Sequence, residues 1–204
     1  MNGAILAGGM ASRFGGRPKG LELVGGRPIL ARVADALSAA TGRAPLLVAN
    51  DPAAGTWLPG HRISADLEPG QGALGGLQTA LLRAPAPVVC VAWDMPFVPA
   101  GLLRALADGL GEELDALLPA SSGPRGFEPL CAAYGPGCAG PIAAALARGE
   151  REMVSFHPAI KVGILPATAV GRWGDPEVLF LNVNTPVELE KADALWRESF
   201  PSSA

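Results

Sequence analysis

Pro87-Val88-Val89-Cys90-Val91-Ala92 runs without a polar side chain and ends at Trp93-Asp94-Met95-Pro96-Phe97. A strand that is apolar at successive positions has no solvent-facing side, which is what a parallel sheet covered by helices on both faces requires. Similar short runs bounded by turn residues are expected strands at Gly3 to Leu6, Pro45 to Ala49, Arg62 to Ala65, Leu114 to Leu118, Lys161 to Leu165 and Leu179 to Val183. Between them, Pro28 to Ala40, Ala73 to Arg83, Pro99 to Leu110, Pro141 to Arg148 and Pro186 to Arg197 carry Leu and Ala at three- and four-residue spacing, several with Pro near the start. That is the pattern of helices opened by a first-turn proline. The alternation predicts an α/β fold of three layers, α/β/α, around a mostly parallel sheet. With no internal repeat and no long linker, the 204 residues are expected to form one domain. The polar stretch Pro119 to Gly126 is a candidate flap.

Composition narrows the partners. A formal net charge of -3 offers no basic stripe for nucleic acid, so a small-molecule partner is expected. Cys90, Cys131 and Cys138 form no C-x-x-C pair, and His61 and His157 lie far from them in sequence, so neither a disulfide framework nor a zinc site is expected. The N-terminus does not read as a signal peptide, and no apolar run approaches the roughly eighteen residues that span a bilayer. A soluble, cytoplasmic protein without a membrane partner is the expectation.

In open parallel sheets ligands bind beyond the carboxyl ends of the strands, which directs attention to the residues after each apolar run. The first such segment is Leu6-Ala7-Gly8-Gly9-Met10-Ala11-Ser12-Arg13-Phe14-Gly15-Gly16-Arg17-Pro18-Lys19-Gly20. Its glycines let backbone N–H groups approach an anion, and Arg13, Arg17 and Lys19 can neutralise phosphate charge. Lys19 stands out in a chain with thirteen arginines and three lysines, because a compact ammonium suits a phosphate. The loop is not a Walker loop, since Pro18 precedes the lysine, and it contains no G-x-G-x-x-G.

Three further places follow strands. Asp94 is a lone carboxylate suited to Mg²⁺, which takes oxygen ligands and keeps several waters; its alternative is a helix cap ahead of Pro99. Asn50, and Asp66 with Glu68-Pro69-Gly70-Gln71-Gly72, can accept from a guanine edge or a ribose hydroxyl, or can simply build a turn. Asn182 and Asn184, half of the four asparagines, share one face if Leu179 to Val183 is a strand; they too could merely satisfy turn backbone. Thr185, Pro186 and Glu188 then make a capping box with proline at the first helical position.

The loop resembles the L-A-G-G-x-x-x-R-x-G-G-x-x-K signature of nucleotidyltransferases that act on sugar phosphates, isoprenoid precursors and molybdopterin. Its order with Asn50, Asp66 to Gly76, Asp94-Met95-Pro96, Glu128-Pro129-Leu130 and Asn182-Val183-Asn184-Thr185-Pro186 resembles the molybdenum cofactor guanylyltransferase (MobA) family over nearly the whole chain. The resemblance implies a Rossmann-like sheet of the nucleotide-diphospho-sugar transferase type, with a nucleotide-binding half at about 1–110 and an acceptor-binding half at about 111–204. It implies that Leu6, Ala7, Gly8, Gly9, Lys19, Asn50, Asp66 and Asp94 contact GTP, with Lys19, Arg13 and Asp94 catalytic. Asp94 would also hold Mg²⁺, and Asn182 and Asn184 would meet molybdopterin or complete the metal site. Cofactor-delivery and molybdoenzyme proteins are the protein partners implied. Trp93 departs from the small residue or Cys more usual before that Asp, which leaves the shape of the nearby wall open. Glu128 falls where family members vary and receives no role.

The implied reaction needs positioning and charge neutralisation more than a general base, because a phosphate monoester is already largely dianionic at neutral pH. Two rivals remain. A cytidylyltransferase for molybdopterin, or an enzyme for another phosphate acceptor, would share the Lys19 loop and Asp94. A GTP-binding adaptor that delivers cofactor without turnover would have less need of an α-phosphate clamp.

Overall fold

The structure, a computed structural model, describes residues 1–8, 18–84 and 86–199. Gly9, Arg13 and Arg17 of the phosphate loop lie outside the described residues.

The strands are β1 (Asn2–Ala7), β2 (Leu23–Val24), β3 (Arg27–Pro28), β4 (Leu46–Ala49), β5 (Ile63–Ser64), β6 (Val88–Ala92), β7 (Ala116–Pro119), β8 (Cys131–Tyr134) and β9 (Val162–Leu165). The α-helices are α1 (Ile29–Thr41), α2 (Gly72–Arg83), α3 (Ala100–Gly109), α4 (Ala139–Ala147), α5 (Ala167–Val170), α6 (Pro176–Leu179) and α7 (Pro186–Ser199). Among the described residues seven strands form one sheet in the order β5-β4-β1-β6-β8-β7-β9. Strand β1 pairs in parallel with β4, Ala4 opposite Leu46, and with β6, Ala4 opposite Cys90. The chain leaves β1 toward β4 on one side and returns to β6 on the other. The strand order therefore reverses at β1, and the carboxyl ends of β1, β4, β5 and β6 share one edge of the sheet, the place where a crevice forms.

Alternation along the strands creates the layers. Ile5, Leu47, Val89 and Val91 pack into one apolar cluster with Leu30, Leu37 and Leu103 of α1 and α3. Ala4, Leu46, Val88 and Cys90 pack into a second with Leu77 and Leu81 of α2 and Ile142 of α4. Every residue of β6 is buried, as a strand covered on both faces must be. The three cysteines are buried and free. No helix among the described residues is long and apolar enough to cross a membrane.

Besides the short β2–β3 hairpin and α5, which the sequence reading did not anticipate, the structure corrects it at two places that shape the site. Strand β8 was absent from the expected strands; it lies antiparallel to both β6 and β7, with Val89 opposite Ala133 and Leu117 opposite Ala133. Cys-Ala-Ala-Tyr is short and lacks β-branched residues, and its strand character comes from the two neighbours that sandwich it. The second correction is that Leu179 to Val183 is not a strand. Asp175 accepts from the Glu177 N–H at 2.9 Å ahead of Pro176, a cap that draws Leu179 into α6. Beyond it the chain is irregular, tied to the sheet edge by Val183 N–H donating to the Asp94 carbonyl at 2.9 Å. Asn182 and Asn184 consequently do not share a strand face.

Gly25 and Gly26, at φ 57° and 73°, turn the β2–β3 hairpin. At Gly25 the space is also taken, because an added Cβ would overlap the indole of Trp196 in α7.

Candidate active site

Lys19 opens a short 3₁₀ turn, Lys19–Leu21, whose middle residue Gly20 lies directly against Trp93. A Cβ on Gly20 would stand 2.5 Å from the indole Cε3, so the absence of a side chain there lets the turn close onto the end of β6. That closure brings Lys19 to Asp94. Its Nζ donates to Asp94 Oδ2 in an ion pair and to Asn184 Oδ1 at 2.6 Å. Asp94 is 4% exposed, and its Oδ1 is buried without a hydrogen-bond partner among the described residues. An orphaned carboxylate oxygen at that depth is costly unless a ligand completes it. Asp94 does not cap α3, whose N-cap position is Pro99 with no side-chain cap bond.

Asn184 is held for its task by the next helix. Glu188 N–H donates to Thr185 Oγ1 at 3.2 Å, and Asn184 N–H donates to Glu188 Oε2 at 2.7 Å. This is the expected capping arrangement, with the return bond falling one residue earlier than in the standard box. Asn182 serves the local turn in part, since its Nδ2 donates to the Phe180 carbonyl at 3.2 Å.

On the other side of β1, Asn50 and Asp66 grip each other. Asn50 Nδ2 donates to Asp66 Oδ2 at 2.7 Å, and Asp66 N–H donates to Asn50 Oδ1 at 2.8 Å. The loop after β5 is fastened again by Leu67 N–H donating to the buried Thr79 hydroxyl at 3.0 Å. The Asp66 carboxylate retains acceptor capacity beyond the Asn50 amide. Asn50 thus orients Asp66 as much as it lines the pocket.

Two cavities meet at the Lys19–Asp94 pair. The first, of about 230 Å³, is lined by Leu6, Ala7, Gly8, Asn50, Asp66 and Trp93 as well as by the pair. The second, of about 430 Å³, is lined by the pair together with Asn182, Asn184, Arg125, Phe127, Glu128 and Met153. Every predicted site residue that the structure describes lies on one or both.

The sequence reading missed Trp57 and Arg125 and named Glu128 without a role. Trp57 stacks on Trp93 with ring centroids 5.4 Å apart and planes 23° from parallel, which settles the wall that Trp93 had left open. No local pattern marks Trp57. Arg125 reaches the second cavity from the Pro119 to Gly126 segment, which is a tight turn closed by Ser121 N–H to the Gly126 carbonyl at 3.0 Å. Its guanidinium pairs with Glu152 at 3.0 Å. Glu128 accepts the Leu130 N–H on Oε1 at 2.9 Å. Burial pushes its carboxyl above the usual range, and the Asp94 charge pushes the same way against the opposing Leu130 N–H and Arg125.

A cation flanked by a buried, half-satisfied carboxylate at the mouth of two adjoining cavities is suited to holding two anionic ligands with their phosphates together. Comparison with known proteins identifies the family. A family model described as a MobA-like NTP transferase domain matches residues 3–160. The molybdenum cofactor guanylyltransferase of Desulfosudis oleivorans is 31% identical, over 95% of this chain and 95% of that protein. A probable molybdenum cofactor guanylyltransferase of Chloroflexus aggregans is 36% identical, over 95% of this chain and 94% of that protein. The crystal structure of molybdopterin-guanine dinucleotide biosynthesis protein A from Archaeoglobus fulgidus superposes with a TM-score of 0.82 at 26% identity, covering 97% of this chain and 100% of that one.

Proposed function

This chain belongs to the MobA-like NTP transferase family, and from that premise we infer that it transfers GMP from GTP to the terminal phosphate of molybdopterin, releasing pyrophosphate and forming the guanine dinucleotide of the cofactor. The observation that carries the reading is the junction of the two cavities at Lys19 and Asp94. GTP occupies the first cavity with its base toward Asn50 and Asp66, and the acceptor enters the second with its phosphate toward Lys19.

A phosphate oxygen of the acceptor attacks the α-phosphorus of GTP in line. The bond from that phosphorus to the bridging oxygen breaks, and the electron pair leaves with pyrophosphate. Lys19 neutralises charge on the phosphates at the junction, and the Asp66 carboxylate, braced by Asn50, accepts from the N1–H and N2–H₂ edge of guanine. No side chain needs to remove a proton, since the attacking phosphate is already largely deprotonated.

The donor set also suits a magnesium ion. Asp94 Oδ1 is buried and unpartnered, and no group of three or more His, Cys, Asp and Glu that could hold a metal exists among the described residues. One carboxylate with a neighbouring amide fits an ion that keeps most of its water and shares phosphate ligands. Asp94 would hold it, and when bound it supplies positive charge to the triphosphate.

The deciding assay is purified protein with Mg²⁺, molybdopterin and each of the four NTPs in turn, following pyrophosphate release. GTP should exceed CTP by at least about a hundredfold in kcat/KM, because a site built to pair guanine donors leaves polar groups unpaired with another base. If CTP is preferred, the cytidylyltransferase reading takes its place; tight GTP binding without pyrophosphate release favours the adaptor.

Asn184 supplies a separate test of the acceptor side. Asn184→Ala should raise the molybdopterin concentration needed for half-maximal rate and leave GTP affinity nearly unchanged. A variant that instead requires more magnesium places Asn184 in the metal shell. Normal kinetics for both substrates, with about 1 kcal/mol lost in stability, would remove it from the site.

A further inference from the structure

The second cavity contains one feature that phosphate transfer does not use. Three carboxylates border it: Asp94, Glu128 and Glu152. Asp94 is engaged by Lys19, and Glu152 is paired with Arg125 at 3.0 Å on a side chain 72% exposed. Only Glu128 has no cation bound to it among the described residues. Its Oε1 takes the Leu130 N–H at 2.9 Å, a bond that anchors one carboxylate oxygen in the wall of the cavity. The same lining carries apolar Phe127, Leu130 and Met153, and the cations Lys19 and Arg125. Cationic, apolar and acceptor groups therefore line one space.

A carboxylate is complementary to two N–H donors side by side, the motif that a 2-amino-4-oxopyrimidine presents through its ring N–H and exocyclic amine. Resting on the reading of the second cavity as the acceptor site, we propose that Glu128 recognises the aminopyrimidinone edge of a pterin, while Phe127 and Met153 cover its flat faces and the acceptor's phosphate extends to Lys19. Glu128 is then the residue that selects a pterin over other phosphorylated heterocycles. The cavity, at about 430 Å³, falls within the size range usual for small-molecule sites.

The test uses the full chain and two fluorescent probes, the monophosphate esters of 6-hydroxymethylpterin and 6-hydroxymethyllumazine, titrated in the presence of Mg²⁺. The lumazine carries a carbonyl where the pterin carries its exocyclic amine, so a carboxylate facing that position attracts one and repels the other. Wild-type protein should bind the pterin ester at least about tenfold more tightly. In Glu128→Gln, whose amide can donate as well as accept, the preference should shrink to near unity or reverse, with GTP affinity unchanged. A merely structural role would weaken both esters alike. Equal binding of the two esters by wild type, or a preference that survives the substitution, overturns the proposal. GMP transfer to molybdopterin, measured on the same wild-type protein, separates the two readings: transfer with an unaltered preference in Glu128→Gln removes Glu128 alone, whereas indifferent binding without transfer removes both.

Discussion

Asp94→Asn should lower pyrophosphate release by at least about a hundredfold at ordinary magnesium concentrations, the scale on which loss of one preorganised charged group acts. The substitution is close to isosteric and preserves an oxygen to accept from Lys19, so the fold should survive. What it removes is the charge on a carboxylate whose Oδ1 lies buried without a partner among the described residues. If Asp94 holds the ion, raising magnesium should recover part of the activity in the variant, with its titration curve displaced to higher concentration. A magnesium curve that coincides with that of the wild type eliminates the role. Circular dichroism and thermal melting on the same preparation guard against a folding defect.

Lys19→Ala should lose roughly a hundredfold or more in kcat/KM for GTP. A second consequence follows from the pairing in the ligand-free site. Lys19 Nζ lies between Asp94 and Asn184, so removing it takes from Asp94, 4% exposed, the cation paired with it among the described residues. Removing one partner of a fully buried pair costs about 3–5 kcal/mol; the Lys19 side chain is 15% exposed at a cavity, so the loss here should be smaller. Magnesium alone should then raise the melting temperature of Lys19→Ala more than that of the wild type, because the ammonium no longer competes for the carboxylate. A loss of less than threefold in activity with an intact fold rules out the phosphate clamp. Equal magnesium shifts in the two proteins rule out the competition.

Both experiments probe a pair that no sequence pattern connects. Asp94 reads from sequence as a carboxylate with no obvious basic partner, and Lys19 as a lysine in an anion-binding loop, yet in the folded chain the two form an ion pair. The same division holds for Asn50 and Asp66, recognisable as residues beyond two strand ends but joined only once β4 and β5 lie side by side.

What the sequence determined by itself was whatever is written in short-range periodicity and local capping. The unbroken run in β6 required a sheet covered on both faces, the Leu and Ala spacing required helices between strands, and Thr185 with Glu188 set the start of α7. Even this local reading failed at Leu179, where the Asp175-Pro176 cap outweighed an apolar run that resembled a strand. Tertiary structure alone decided the insertion of β8 between β6 and β7, the Trp57–Trp93 stack and the position of Glu128 on the second cavity. The physical reason is one of range. Dihedral preference, side-chain period and caps act over a few residues and leave their mark in the local sequence, whereas an antiparallel insertion, a ring stack or an ion pair across the crevice exists only when segments distant along the chain have been brought together by burial of the core.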